Sequence, residues 1–250
     1  MLLAVDIGNT TVAVAGLEGE QVAFVKRLPS DPALDWITSL KELLEGVEAQ
    51  GAVLSSVVPA LTGPVGEGLE AVTGRPVLVV DKTTHTGLDL SGYDTANLGM
   101  DRVVDCVAAL ARWGGPAAVF DMGTATTLSV VDGQGRFLGG MILPGLALGL
   151  EALSARAAQL PPVELSPPEG LLGTDTASCM KYGALYGAAG AIEGIVGRLQ
   201  EELGELTVVL TGGNSTLVRP LLRIPAAWEP HLTFFGLGEI WKRNTKKVRV

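Results

Sequence analysis

The sequence predicts an α/β protein made of two duplicated lobes, each a mixed β-sheet flanked by helices. Three observations carry that expectation. An Asp-x-Gly motif followed by hydroxyl residues occurs twice, as Asp6-Ile7-Gly8-Asn9-Thr10-Thr11 and as Asp121-Met122-Gly123-Thr124-Ala125-Thr126. The surroundings of both copies read as strand, turn, strand, hairpin, strand. Past the first meander, helical and strand-like segments alternate, which calls for helices on the faces of a sheet. A chain of 250 residues can bury a large core, and the repeat favours two lobes over one oversized domain.

Taken in order, Val5 closes an apolar run before the first turn, and a second strand runs from Thr11 to Leu17. Glu18-Gly19-Glu20 makes a hairpin into the third strand. Asp31-Pro32 marks a helix start, with Pro32 suited to the first turn, and Leu34, Ile37, Leu40, Leu43 and Leu44 recur at helical spacing. Gly51 to Val57 reads as a strand, Pro59 to Val72 as a helix and Pro76 to Val80 as a strand. The stretch from Asp81 to Asn97 is rich in Thr, Gly and Asp, carries His85 and Tyr93, and is a polar loop long enough to be functional. A helix from Gly99 to Trp113 follows, with Met100, Val103, Val107 and Leu110 giving it one buried face. Gly114-Gly115-Pro116 breaks the pattern, so the lobes are placed at 1–114 and 115–250.

In the second lobe Phe120 closes the run before the turn. The next strand spans Thr126 to Val131, Asp132-Gly133-Gln134-Gly135 makes the hairpin, and a third strand follows. A glycine-rich stretch, Gly139 to Gly145, leads into a helix ending near Ala158. Residues 159–173 hold four prolines and read as a loop. A long helix from about Thr176 to Leu203 precedes a strand from Leu206 to Leu210, the turn Thr211-Gly212-Gly213-Asn214 and a short helix from Ser215. That Gly-Gly turn suits either close approach to a flat ligand such as a nucleoside or a plain tight turn.

Composition narrows the function classes. With 18% charged and 47% hydrophobic residues the chain is globular. Its net charge is −9, with 15 acidic and 7 basic groups in residues 1–113 against 12 and 11 in the rest. An acidic body argues against a nucleic-acid partner. Lys242, Arg243, Lys246, Lys247 and Arg249 form a basic cluster, read as a solvated C-terminal end. Cys106 and Cys179 have no metal-ligand or redox spacing, and the first residues reach Asp6 too soon for a signal peptide, so the expected compartment is the cytoplasm. The segment Gly183 to Gly197 is too short to span a membrane. Its glycines at 183, 187, 190 and 194 suit close packing of another helix, within the fold or across a subunit interface.

The chemistry begins at the repeated motif. A carboxylate at the end of a strand can hold a hydrated divalent cation, and a glycine-opened turn lets backbone N–H groups and hydroxyls approach phosphate oxygens. One copy alone is a tight turn between paired strands; the repetition favours phosphate binding. Two such turns facing each other would grip a nucleoside triphosphate. No glycine is followed by lysine and then Ser or Thr, so the Walker pattern is absent and the turns, with cations, must carry the phosphate electrostatics.

Asp6 to Thr11, Ser55-Ser56-Val57-Val58-Pro59, Gly99-Met100-Asp101-Arg102, Asp121 to Thr126, Gly139 to Gly145 and Thr211-Gly212-Gly213 occur in one order across most of the chain. With these pieces the sequence resembles the type III pantothenate kinases of the actin-like, sugar-kinase and heat-shock-chaperone ATPase superfamily. Gly-x-Asp-Arg between two Asp-x-Gly turns is the most specific of them. The resemblance implies two ribonuclease-H-like lobes of βββαβαβ type in an actin-like ATPase fold. It also implies phosphorylation of the terminal hydroxyl of pantothenate by ATP, the first step towards coenzyme A.

Carried over residue by residue, the resemblance implies that Asp6 orients magnesium through water. The cradle for phosphates would comprise Asp6, Ile7, Gly8, Asn9, Thr10, Thr11, Val12 and Ala13, with Thr124 adding a hydroxyl. Asp101 is the candidate base, and its position at a helix start keeps a carboxylate ionised, which implies a low pKa and a weak base. The alternative for Asp101 is a helix-starting acid engaging first-turn amides. Arg102 either pairs with Asp105 or binds substrate, as the resemblance implies, together with Gly99, Met100 and Asp101. Asp121 would bind a monovalent cation, K+ or NH4+. Tyr93 and Thr176 match pantothenate-contacting positions, although Tyr93 equally suits a loop anchor and Thr176 a helix cap. His85 and His231 receive no metal role. The family is dimeric, and the resemblance implies a homodimer.

Two further readings of the scaffold compete with the kinase. One is an ATP-switched regulatory or binding protein, which would be indifferent to Asp101→Asn. The other is a polyphosphate or nucleotide phosphatase, which would need no alcohol acceptor. Chain brevity counts against a chaperone or filament.

Overall fold

The alternating apolar strands fold into two five-stranded mixed sheets with the same strand order, as the duplicated motif predicts. The computed structural model describes residues 1–245. The chain forms two units: residues 1–112 with Gly135–Phe137 and the segment from His231, and residues 113–134 with 138–230.

In the first unit, β1 (Leu2–Ile7), β2 (Thr11–Glu18) and β3 (Gln21–Pro29) form an antiparallel meander. The helix α1 (Trp36–Leu43) leads to β4 (Gly51–Ser56), and α2 (Pro59–Thr73) leads to β5 (Val77–Val79). Each of these helices returns the chain to a parallel neighbour, giving the order β3-β2-β1-β4-β5. One sheet face is dry: Leu3, Val5, Ile7, Val12, Val14 and Leu54 pack with Trp36 and Leu40 of α1 and with Leu61, Val65 and Leu69 of α2. Alternation along the strands then puts Asp6 and its register partner Ser55 on the opposite face.

That opposite face is where the sequence reading needs its largest correction. The helices α3 (Met100–Trp113) and α7 (Leu232–Thr245) belong to this unit, and α7 contacts β1, β2 and β4. Placing all of 115–250 in the second lobe therefore misassigned the C-terminal segment. Gly236 packs against Val104 and Thr233 donates to Asp105 at 2.7 Å, so α3 is buried from Met100 to Ala109 on nearly all sides, not along one face. The basic cluster changes meaning for the same reason. Lys242 and Arg243 sit in the last turn of α7, with Lys242 paired to Glu239 at 2.6 Å, whereas Lys246, Lys247 and Arg249 lie outside the described residues.

The start of α1 is also corrected. Asp31 closes a local turn through Ala33, and the helix is capped by Asp35, whose carboxylate accepts from the Thr38 amide at 3.2 Å. The Thr38 hydroxyl, donating to Asp35 Oδ2 at 2.7 Å, and the Thr38 amide hold the Asp35 carboxyl below the ordinary range.

In the second unit, β6 (Ala117–Met122) and β7 (Ala125–Val131) pair antiparallel, and β8 (Phe137–Pro144) follows. The glycine-rich stretch is thus itself most of the third strand. The helix α4 (Leu146–Arg156) precedes α5 (Thr176–Leu203), the long helix expected. Next come β9 (Thr207–Thr211), α6 (Ser215–Val218), a 3-10 turn at Arg219–Leu221 and β10 (Ala227–Trp228). The strand order is β10-β9-β6-β7-β8. Phe120, Met122, Leu128 and Leu210 of this sheet pack against Leu185, Ile192 and Val196 of α5.

Candidate active site

Each unit carries one copy of the turn at the C-terminal end of its central strand. In the first unit, Ile7 pairs with Val12 and the Gly8 amide donates to the Thr11 carbonyl at 3.0 Å, closing a tight loop around Asn9 and Thr10. Ser30 braces it, donating from its amide to the Thr10 carbonyl at 3.1 Å and from Oγ to the Gly8 carbonyl at 2.6 Å. Asn9 and Thr10 are exposed and Gly8 and Thr11 half-buried. Ile7, Val12 and Ala13 lie inside the sheet, and Val12 and Ala13 have register partners in both β1 and β3. The reachable part of the cradle is therefore Gly8 to Thr11.

Asp6 is half-buried just ahead of this turn. Its register partner Ser55 is fully buried, and the Ser55 hydroxyl finds no hydrogen-bond partner among the described residues. A buried hydroxyl left unsatisfied is costly.

The Gly99-Met100-Asp101-Arg102 segment reaches the same edge of the sheet. The Val57 amide donates to the Ile7 carbonyl at 3.0 Å, and a Cβ at Gly99 would lie 3.6 Å from Val57 Cγ1 and would overlap Asp101 Oδ1. Asp101 stands in the first turn of α3. Its Oδ1 is buried and has no hydrogen-bond partner among the described residues. Burial pushes its carboxyl above the ordinary carboxylate range, outweighing the Arg102 amide and guanidinium and its own amide, which all pull it down. The low pKa expected from the helix terminus alone is thus reversed.

Arg102 is 8% exposed. Its guanidinium lies 5.9 Å from the Tyr93 ring centre and 5.5 Å from that of Phe137, with Nη1 donating to the Tyr93 hydroxyl at 3.4 Å. Tyr93 and Phe137 meet edge to face at 5.1 Å. Met100 is buried. Tyr93, Arg102 and Asp101 are therefore gathered in one unit. Phe137 was missed because nothing in its local sequence signals a contact with a residue 44 positions earlier.

In the second unit, Met122 pairs with Thr126 and the Gly123 amide donates to the Ala125 carbonyl at 3.0 Å. Thr124 is exposed at the tip. Asn214 pins the turn, its amide donating to the Met122 carbonyl at 3.0 Å and its Nδ2 to the Gly123 carbonyl at 3.1 Å. Asp121 is in register with Thr211, and Gly212, at φ +81°, lies so close that a Cβ would overlap Asp121 Oδ1 and the Met122 backbone. The Thr-Gly-Gly turn and the second Asp-x-Gly turn thus form one assembly. Asn214 gave no signal in the sequence because its role depends on strands 91 residues apart.

Thr176 belongs to the second unit. It is exposed at the first position of α5, and the cap is Asp175, which accepts from the Ser178 amide at 3.0 Å in a capping box. Among the described residues no group of three or more His, Cys, Asp or Glu could hold a metal ion, and no helix is long and apolar enough to cross a membrane. A magnesium ion bound through one carboxylate, water and substrate phosphates needs no such group.

Known proteins place these features in context. Residues 2–198 match the family model for type III pantothenate kinase. A type III pantothenate kinase from Moorella thermoacetica is 39% identical over 254 residues, covering 98% of this chain and all of the relative, and one from Frankia alni is 37% identical over 249 residues with the same coverage. Among solved structures, the ROK hexokinase from Thermus thermophilus superposes with a TM-score of 0.55 at 18% identity, covering 98% of this chain and 99% of that one. A ROK family glucokinase from Streptomyces griseus in complex with glucose and AMPPNP gives 0.53 at 13%, covering 96% and 98%. The fold is that of the actin-like ATPases.

Proposed function

This chain belongs to the type III pantothenate kinase family, and we propose that it transfers the γ-phosphoryl group of ATP to the terminal hydroxyl of pantothenate as the first step of coenzyme A synthesis. The observation that carries the reading is the buried oxygen of Asp101, without a partner among the described residues, beside the stack of Arg102 on Tyr93 and Phe137. It offers a proton acceptor next to a cation suited to pantothenate's carboxylate.

Phosphoryl transfer asks the protein chiefly for alignment and charge stabilisation. Asp101 accepts the hydroxyl hydrogen, fixes the direction of attack and takes the proton on its carboxylate as the O–P bond to the acceptor forms and the bond to the leaving ADP breaks. A carboxyl raised by burial is a stronger acceptor than an exposed one. Arg102 holds the acceptor's carboxylate through its planar fork, and Tyr93 sets the guanidinium's orientation. Asn9, Thr10 and the Gly8 to Thr11 backbone take phosphate oxygens in the first unit, and Thr124 takes one in the second. Asp6, with the unsatisfied Ser55 hydroxyl on its face, suits a magnesium ion held through water. That ion would supply positive charge to the β- and γ-phosphates. Asp121 and the carbonyls of its turn are hard oxygen donors and suit a monovalent cation such as K+ or NH4+. Thr176 joins pantothenate binding on the resemblance alone.

We also assign a homodimer. Leu138, Met141, Ile142 and Leu148 are exposed on the second unit, with Ile142 at 68%. In the same unit Gly183 and Gly187 of α5 line an apolar cavity of about 300 Å3, and a Cβ at either glycine would meet no described atom within 4 Å. A face of this composition suits a second copy of the chain. The cytoplasm, where ATP is available, is the compartment proposed, with no nucleic-acid or membrane partner.

The test is ADP release by the purified chain with and without pantothenate, in potassium and in sodium. Turnover that needs pantothenate is expected, and faster turnover in potassium. Equal ATP hydrolysis without pantothenate would overturn the reading.

A further inference from the structure

The loop from Val80 to Gly99 carries Tyr93 and delivers the chain to Asp101, yet it has almost no regular structure of its own. Its backbone carbonyls and amides must therefore be satisfied from elsewhere. At its middle the Asp89 amide donates to the Gly135 carbonyl at 2.8 Å and the Phe137 amide to the Asp89 carbonyl at 2.9 Å. This pairing seats Phe137, whose ring Tyr93 and Arg102 share. Near its start two successive carbonyls are taken by side chains from the last turn of α7. Arg243 Nη1 donates to the Thr86 carbonyl, and Asn244 Nδ2 donates to the His85 carbonyl at 3.0 Å while also holding the Ile240 carbonyl at 2.8 Å. The guanidinium of Arg243 lies over Gly87 and leaves no space for a Cβ there.

We infer that Arg243 and Asn244 are positioning residues for the acceptor substrate, strapping His85 and Thr86 to α7 so that Asp89, Phe137 and Tyr93 hold Arg102 in its binding posture. The inference rests on the kinase reading for its substrate. The strap itself is a property of the loop. A bond from a guanidinium to a carbonyl is charge-assisted, so Arg243 carries the larger share. Releasing it frees the start of the loop from α7, and the effect falls on acceptor binding, not on the phosphate turn.

The experiment compares Arg243→Ala, Arg243→Lys and Asn244→Ala with the parent in steady-state kinetics, melting and amide hydrogen exchange. Arg243→Ala should raise the KM for pantothenate about 5- to 20-fold and Asn244→Ala about 2- to 5-fold. Arg243→Lys, which keeps a charged donor, should fall between the parent and Arg243→Ala. Throughout, kcat and the KM for ATP should stay within about twofold. Amides of 85–93 should exchange at least about fivefold faster in Arg243→Ala. Should Arg243→Ala fail to fold, the lysine and Asn244 variants carry the same comparison. Unchanged exchange, or kcat and both KM values moving together with a lowered melting temperature, would overturn the strap. A parent that does not turn over pantothenate would instead overturn the kinase reading, leaving the exchange result to decide the strap.

Discussion

Replacing Asp101 by asparagine should slow the enzyme and stabilise it at once. In the parent, Asp101 Oδ1 is buried without a hydrogen-bond partner among the described residues, and burial holds the carboxyl above its ordinary range. Asparagine keeps the shape but removes both the charge and the proton acceptor. Loss of a positioned general base costs about 10²- to 10⁴-fold in turnover, so kcat should fall by that factor. The Kd for ATP, read by calorimetry, should stay within about twofold, because the turn from Gly8 to Thr11, proposed to take the phosphates, is untouched. Stability moves the other way. A folded-state pKa raised above the unfolded value favours the protonated carboxyl. That stabilisation is complete below the unfolded pKa of 3.8 and is lost as pH rises through the folded value. Above that folded value the parent bears an ionised buried oxygen with no partner among the described residues, at a cost of about 1–3 kcal/mol. The variant should melt several degrees higher, at roughly 2–4 °C per kcal/mol. The gap should close as pH falls towards about 4. The assay pairs ADP release with thermal melts across pH. Turnover within about threefold of the parent, or a stability gap that widens as pH falls, would refute the reasoning.

Three other outcomes follow from the same geometry. Arg102→Lys keeps the charge but loses the planar fork over Tyr93 and Phe137, so the KM for pantothenate should rise about tenfold with kcat within about threefold, measured by the same ADP-release assay. Gly212→Ala forces a side chain into Asp121 and Met122 at φ +81° and should cost about 1–3 kcal/mol or more in denaturant melts, together with potassium stimulation, whereas Gly213→Ala, which meets nothing within 4 Å, should stay within about 0.5 kcal/mol. Ile142→Glu, at the exposed centre of β8, should shift the chain from dimer to monomer in sedimentation equilibrium without lowering its melting temperature at high dilution.

Much of the fold was legible because it is written in local periodicity. The two meanders, α2, α3, α5 and the strands between them rest on short-range patterns, and the observed bounds differ from those expected by a residue or so. The start of α1 was misplaced because Asp31 and Asp35 both offer an N-terminal signal, and only the cap bond to Thr38 distinguishes them. The helix α7 escaped because its segment carries Gly236 and Gly238, which weaken a helical pattern. Here Gly236 exists to let Val104 approach.

The sequence by itself determined the duplicated turns, the order of the motifs and the residue types that phosphoryl transfer requires, since these depend on neighbours along the chain. Tertiary structure alone decided the state of those residues. It buried an oxygen of Asp101 and so raised a carboxyl that its helix terminus would have lowered, withdrew Val12 and Ala13 into the sheet, and brought Phe137 to Tyr93, Asn214 to Gly123 and Arg243 to Thr86. Burial and long-range contact are properties of the packed chain, and no local pattern encodes the dielectric around an oxygen or the partner that reaches it from elsewhere in the sequence.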